Sequence, residues 1–176
     1  MKVTDSSKII FTNRFILRPL KVDDVTERYA RWLSDQTTSK FISSATLNLH
    51  ELRRYVLERC DCDDILFFGI FDKITGLHIG NIKYEPLNSE LRFAIMGMLI
   101  GEAEWRGKGV AAEVLSASAY WLHQYRNIEQ IVLGVSRSNV AAIRAYQKAG
   151  FVEQSTVYIP NVSAENSTMV LHLKTL

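Results

Sequence analysis

The run Glu102-Ala103-Glu104-Trp105-Arg106-Gly107-Lys108-Gly109-Val110-Ala111-Ala112-Glu113 carries the clearest chemical signal in the chain. Its two glycines let backbone N–H groups come close to a ligand. A helix opening just after them aims its positive end at the same point, which favours a phosphate. Arg106 and Lys108 add mobile positive charge there. The competing reading is a turn that needs glycine dihedrals, with both basic residues solvated. A second constellation is Asn139-Val140-Ala141-Ala142-Ile143-Arg144-Ala145-Tyr146-Gln147-Lys148-Ala149-Gly150-Phe151. Asn139 can cap a helix, and Tyr146 falls two turns along nearly the same face. A tyrosine hydroxyl can give a proton to an anionic leaving group. In isolation, a core tyrosine is the better explanation of Tyr146.

Two familiar phosphate motifs nearly fit. Gly107-Lys108-Gly109-Val110-Ala111-Ala112 matches the dinucleotide fingerprint G-x-G-x-x-A. However, charged residues separate it from its strand, and the next strand ends in Gly134-Val135-Ser136 with no acid to hold a ribose hydroxyl. A P-loop fails because Gly101 is one residue too far away and Gly109 stands where a magnesium-binding hydroxyl belongs. Cys60 and Cys62 are too close to bridge each other, and the second pair of a four-ligand zinc site is absent, so they read as reduced thiols and no metal is expected. His78 and His123 belong to no recognisable cluster and read as structural.

The chain that must position these residues has 176 of them, the size of one domain, so a single domain over 1–176 is expected. Apolar residues make up 47% and charged residues 23%, which excludes disorder, collagen and coiled coil. A net charge of +2 is too balanced for a strong field towards nucleic acid or membrane, so neither is expected as a partner. No run approaches the ~20 apolar residues of a membrane span, and Met-Lys-Val-Thr-Asp-Ser-Ser-Lys lacks a signal-peptide core, so a cytoplasmic location is expected.

Periodicity predicts a strand over Phe15–Pro19 and a helix over Val22–Ser34, followed by a polar loop to Asn48. It predicts a second helix over Leu49–Arg59 with Leu49, Leu52, Val56 and Leu57 on its apolar face. Ile65–Phe71 and Leu77–Tyr84 flank a glycine-containing turn and read as a hairpin. Another strand runs from about Leu91 to Ile100, where Gly97 marks a bulge or a close approach of backbone to something else. A long helix follows the glycine pair, then an apolar strand over Ile128–Val135 and a helix over Asn139–Ala149 ended by Gly150. Strands over Phe151–Ile159 and Thr168–Leu173 close the chain.

Together the two constellations resemble those of the GNAT superfamily of N-acetyltransferases. Arg106-Gly107-Lys108-Gly109-Val110-Ala111 satisfies the family's cofactor signature [RQ]-x-x-G-x-[GA]. Asn139 followed by Ala142-Ile143-Arg144-Ala145-Tyr146-Gln147-Lys148-Ala149-Gly150-Phe151 matches its later signature, with the expected helix and strand between. The order of elements fits over about residues 14–174. The resemblance implies an α/β (α+β) single-domain fold, a mixed, mostly antiparallel twisted sheet of about seven strands flanked by about four helices.

It further implies acetyl-CoA as cosubstrate. Backbone groups of Met98, Leu99 and Ile100 would pair with the pantetheine arm as an added strand does. Amides of Arg106, Gly107, Lys108, Gly109, Val110 and Ala111 would hold the pyrophosphate, and Asn139 would lie near the pantetheine or acetyl group. Tyr146 would protonate the departing thiolate after direct attack by a neutral amine. Many members carry a base in an A-E-I-G stretch, where this chain reads Ala94-Ile95-Met96-Gly97. Glu85, at the end of the preceding strand, is the nearest alternative, and water held by backbone carbonyls is the other.

Phe15-Ile16-Leu17-Arg18-Pro19 and Tyr29-Ala30-Arg31-Trp32-Leu33-Ser34-Asp35 look like the branch that contains ribosomal-protein N-terminal and amino-sugar acetyltransferases. Trp32–Asp35 with His78–Tyr84 leans towards the amino-sugar group, whose acceptors are commonly nucleotide-linked. The expected partner is therefore a small-molecule amine, and a homodimer is compatible with that reading. The rivals are a protein N-terminal or polyamine acetyltransferase, a CoA-binding module without catalysis, and a nucleotide-binding oxidoreductase.

Overall fold

The computed structural model of the chain describes residues 8–35, 48–60 and 62–173. Most of the expected polar loop between Ser34 and Asn48 lies outside the described residues. The strands are β1 (Ile10–Phe11), β2 (Phe15–Pro19), β3 (Leu66–Asp72), β4 (His78–Asn88), β5 (Phe93–Ile100), β6 (Gln130–Ser136), β7 (Val152–Glu153) and β8 (Asn166–His172). Among the described residues the helices are α1 (Glu27–Ser34), α2 (Leu49–Cys60), α3 (Val110–Arg126) and α4 (Val140–Lys148), with short 3-10 turns at Val22–Asp24 and Ala103–Trp105.

The strands form one mixed sheet in the order β1-β2-β3-β4-β5-β6-β8-β7. Every neighbouring pair is antiparallel except β5 and β6, which are parallel because α3 carries the chain back across the sheet between them. That one parallel pair is brief: Phe93, Ala94 and Ile95 face Gln130, Ile131 and Val132. Both strands continue past it, β5 to Ile100 and β6 to Ser136, so they part and leave a gap edged by main chain.

Alternation along the strands sends side chains to two cores. Phe68 joins Leu17, Ile70, Ile82, Leu115 and Leu122 under α3, whereas its neighbour Phe67 joins Leu20, Val25, Trp32, Leu52 and Val56 under α1 and α2. The buried hydroxyls of Tyr84 and Ser118 satisfy each other at 2.7 Å, fixing α3 on β4.

Several sequence expectations need correction. The helix over Val22–Ser34 is interrupted. The Asp24 carboxylate takes Arg18 at 2.6 and 2.8 Å and the Lys21 amide at 2.8 Å, which closes a separate turn. Val25 then leaves helical geometry (φ −81°, ψ 86°) to reach the core, and α1 restarts at Glu27. Leu57 is exposed rather than on the buried face of α2. Gly97 carries no bulge, since it pairs in register with Lys83; the irregularity lies on β4, where Glu85 and Pro86 fall between the Tyr84–Met96 and Leu87–Ala94 pairs. The strand expected over Phe151–Ile159 shrinks to Val152–Glu153, beyond which Tyr158 stacks on Phe93 at 3.7 Å. The added strand β1 brings the sheet to eight.

Candidate active site

The loop before α3 takes its shape from two left-handed glycines, Gly107 (φ 73°) and Gly109 (φ 75°), the second being the N-cap of α3. No atom lies within 4 Å of where a Gly107 side chain would begin. The first-turn N–H groups of α3 have no acceptor within the helix, so this loop offers donors and a positive dipole end together. It is braced from behind. Arg14 donates to the Lys108 carbonyl at 3.0 Å and to Glu113 at 2.7 Å, and Glu113 also accepts the Arg14 amide and the Thr12 hydroxyl, each at 2.7 Å. Burial alone would raise the Glu113 carboxyl, but these bonds outweigh it and hold the group below its usual range. Sequence reading missed this brace, because Glu113 lies far from Thr12 and Arg14 in the chain.

Arg106 contributes no mobile charge, contrary to expectation. Its guanidinium donates to the carbonyls of Ile100 (3.0 Å) and Gly101 (2.8 Å) and pairs with Asp35 at 3.1 Å. It clips the end of β5 to the end of α1. Lys108 stands outside, its ammonium 5.9 Å from the Trp105 ring.

The gap between β5 and β6 opens into a cleft of about 1210 Å³. Met98, Leu99, Ile100, Arg106, Gly107, Gly109, Val110, Ala111, Asn139 and Tyr146 all line it; Lys108 and Glu85 do not. Its charged lining is Arg106, Arg144 and Lys148, with no Asp or Glu among the described residues. Neutral polar groups, Ser136, Asn139, Asn161, Ser163 and Asn166, supply hydrogen-bonding capacity. Asn139 caps α4, its side chain accepting the Ala142 amide at 3.2 Å, which sets the helix that carries Tyr146. The Tyr146 hydroxyl has no hydrogen-bond partner among the described residues, and burial pushes its pKa up to about 12. It therefore keeps its proton at neutral pH.

Away from this cleft, Glu85 lies in the irregular stretch of β4 between the Tyr84–Met96 and Leu87–Ala94 pairs. Its Oε2 takes Lys83 at 2.5 Å and Arg59 at 3.1 Å, while Lys83 also donates to the Tyr55 hydroxyl at 2.5 Å and Arg59 lies 3.7 Å over the Tyr55 ring. Burial pushes the Glu85 carboxyl up, but the two cations outweigh that and hold it below the usual carboxylate range. The alternation Lys83-x-Glu85 could have placed these two on one face; nothing in the spacing pointed to Arg59 and Tyr55. The two histidines are structural in their contacts: His78 bonds Asn81 at 2.8 Å and stacks on Phe71, and His123 bonds the Ile128 carbonyl at 2.9 Å.

A family model described as an acetyltransferase (GNAT) domain matches residues 14–152. The chain is 24% identical over 157 residues to an N-acetyltransferase 9-like protein of Caenorhabditis briggsae, covering 84% of this chain and 78% of that one. Two solved structures share the fold. A spermidine N-acetyltransferase of Vibrio cholerae, in complex with CoA and spermine, superposes with a TM-score of 0.77 at 20% identity, over 90% of this chain and 95% of that one. A ribosomal alpha-N-protein acetyltransferase in complex with coenzyme A gives 0.80 at 13% identity, over 94% and 98%.

Proposed function

This chain belongs to the GNAT acetyltransferase family and is an acetyl-CoA-dependent N-acetyltransferase, and from that premise we propose that its acceptor is the primary amine of an amino sugar, most readily a nucleotide-linked one. The observation that carries the reading is the corner between β4 and α2, where Tyr55, Lys83, Arg59 and Glu85 bring a phenol, two cationic donors and one carboxylate together for an amine and the hydroxyls beside it.

Acetyl-CoA fits the residues present, because Gly107 and Gly109 open the backbone where a pyrophosphate needs donors. When bound, it supplies the thioester whose carbonyl carbon the amine attacks. The amides of Arg106 to Ala111 hold the pyrophosphate, with Lys108 contributing its backbone while its side chain stays in solvent. The main chain of Met98, Leu99 and Ile100, parted from β6, pairs with the pantetheine arm as an added strand does. Asn139 faces the acyl end of that arm. Tyr146, protonated at neutral pH, donates to the leaving thiolate. Glu85 receives the amine proton: both cations bond its Oε2, and its Oε1 carries no hydrogen bond among the described residues. A carboxylate held this low is a weak base, so the amine attacks from its small neutral fraction. Glu85, directly or through a water on backbone carbonyls, takes the proton that the nitrogen sheds once it has added to the carbonyl carbon. The reaction draws on the acetyl-CoA of the cytoplasm.

Release of free CoA thiol with a panel of amines tests the reading. Nucleotide-linked amino sugars should give the highest kcat/KM. A higher value for an N-terminal peptide or for spermidine overturns the acceptor assignment. If acetyl-CoA raises the melting temperature but no amine is acetylated, the chain binds CoA without catalysis.

A further inference from the structure

Beyond the sugar itself, the face from which the amine arrives carries information about charge. Residues paired across antiparallel strands point to the same side of the sheet, so Gly97 faces the side to which Lys83 projects, towards Tyr55 of α2. Nothing lies within 4 Å of the position a Gly97 side chain would start from, and that open floor adjoins Lys83. Lys83 and Arg59 bring two positive charges to this corner and Glu85 one negative, a sum of +1. Their side chains are each about one-quarter to one-fifth exposed (25%, 21% and 24%), close enough to solvent to meet a substrate and buried enough to avoid full screening. Glu58 lies 3.8 Å from Arg59 but is 60% exposed and is shared with Arg54.

Other carboxylates near this side are already engaged. None lines the cleft among the described residues, and Asp35 and Glu102, which line a second hollow with Arg28 and Arg31, are held by Arg106 and by Arg28. An acceptor with several ammonium groups needs a carboxylate for each, and here Glu85 is already shared by Lys83 and Arg59, and the exposed Glu58 by Arg54 and Arg59. An acceptor with one amine and one anionic group matches the corner: the amine at Glu85 and the anion at Lys83.

Resting on the acetyltransferase reading above, we infer that the acceptor carries a phosphate or carboxylate group near its amine, and that Lys83 selects for it. Lys83 is a specificity residue here, not a proton carrier.

Matched acceptors test this. Initial rates are measured for an amino sugar and its phosphate, for a dipeptide with an acidic side chain and its amide counterpart, and for spermidine, using the wild type, Lys83→Gln and Lys83→Arg. The anionic member of each pair should have a kcat/KM at least tenfold above its neutral twin, mostly through KM. Lys83→Gln should remove that ratio by raising KM for the anionic twin alone, and Lys83→Arg should keep most of it. Equal rates for the twins, a preference for spermidine, or an unchanged ratio in Lys83→Gln overturns the inference while leaving the acetyltransferase intact. An anion preference seen only with peptides upholds the inference and overturns the sugar. Should Lys83→Gln not fold, the wild-type ratios decide. Absence of acetylation for every amine overturns the functional reading and this inference with it.

Discussion

The two sides of the β5–β6 gap present their polar groups by different means. On the α3 side, two left-handed glycines, a helix N-terminus and an unpaired strand edge present main-chain donors and acceptors. The side chains there mostly hold that backbone in place: Arg14 and Glu113 brace the loop, and Arg106 clips the end of β5. On the α2 side the main chain is consumed by the β3–β4–β5 ladder, and the polar groups on offer are the side chains of Lys83, Glu85, Arg59 and Tyr55. A site made of backbone tolerates little change in dihedral angle but many changes in side chain. A site made of side chains can be retuned by single substitutions without touching the fold. One architecture can thus keep its cosubstrate while its acceptor changes.

The largest effect that would break this comparison is expected at Tyr146, the one side chain on the α3 side given a chemical task. Tyr146→Phe should lower kcat about 100-fold or more while leaving the dissociation constant for acetyl-CoA unchanged, as loss of a general acid does. Single-turnover rates and a binding isotherm check both parts. Full turnover in the variant would reduce the α3 side to a pure backbone cradle. Next comes Gly101, at the seam. A Cβ there would sit 1.9 to 2.4 Å from three ring atoms of Trp32, whose indole N–H bonds Glu102 at 2.9 Å. Gly101→Ala should cost about 2 kcal/mol in urea unfolding, from overpacking. Acceptor KM should rise more than acetyl-CoA affinity falls, because Trp32 belongs to α1.

The same contrast explains what could be read from sequence. Few residues accept a positive φ, so a backbone site leaves a mark: Gly107 and Gly109 were visible, as were the cap at Asn139 and the stop at Gly150 (φ 93°). The hairpin of β3 and β4 and the long helix α3 followed from their periodicity. The brace of Thr12, Arg14 and Glu113 was not visible, because Glu113 lies about a hundred positions from the other two and each alone looks like a surface residue. For the same reason Arg59 and Tyr55 were missed beside Glu85. The interruption of the first helix was hidden because Asp23 and Asp24 look like an ordinary acidic first turn, whereas Asp24 is spent on Arg18. The end of the chain was over-read as strand: Phe151–Ile159 has the right composition, but β8 offers its edge to only Val152 and Glu153.

A smaller effect sharpens the backbone side. Gly109 has room for a methyl group, with Arg14 the nearest atom at 3.8 Å, so Gly109→Ala isolates the cost of its left-handed conformation (φ 75°) from any clash. That cost is about 1 kcal/mol. It should appear as lower stability together with a several-fold weaker acetyl-CoA affinity, with acceptor selectivity unchanged. A shift in selectivity would mean that the two sides are coupled through the loop.

The smallest effect concerns the two carboxylates that anchor the two sides. Glu113 and Glu85 both titrate below their ordinary value of 4.5 in the folded chain, Glu113 through the Arg14 amide, Thr12 and the Arg14 guanidinium, and Glu85 through Lys83 and Arg59. A folded value lower than the unfolded one means that the folded state prefers the ionised form. Each group therefore adds stability that is complete above the unfolded value and is lost as pH falls through the folded one. Glu113→Gln and Glu85→Gln should each unfold more easily than wild type near neutral pH, by about 1 kcal/mol, the scale of a few partly exposed charge-assisted hydrogen bonds. Both should then lose less stability than wild type between about pH 6 and about pH 3, because a glutamine has no proton to gain. Function separates them where stability does not. Glu113→Gln loosens the loop and should weaken acetyl-CoA binding with acceptor KM unchanged, whereas Glu85→Gln should spare acetyl-CoA binding and depress acceptor turnover. Stability curves at a series of pH values, paired with both binding constants, read the two effects from the same protein samples; matching functional losses in both variants would erase the distinction between a backbone side and a side-chain side.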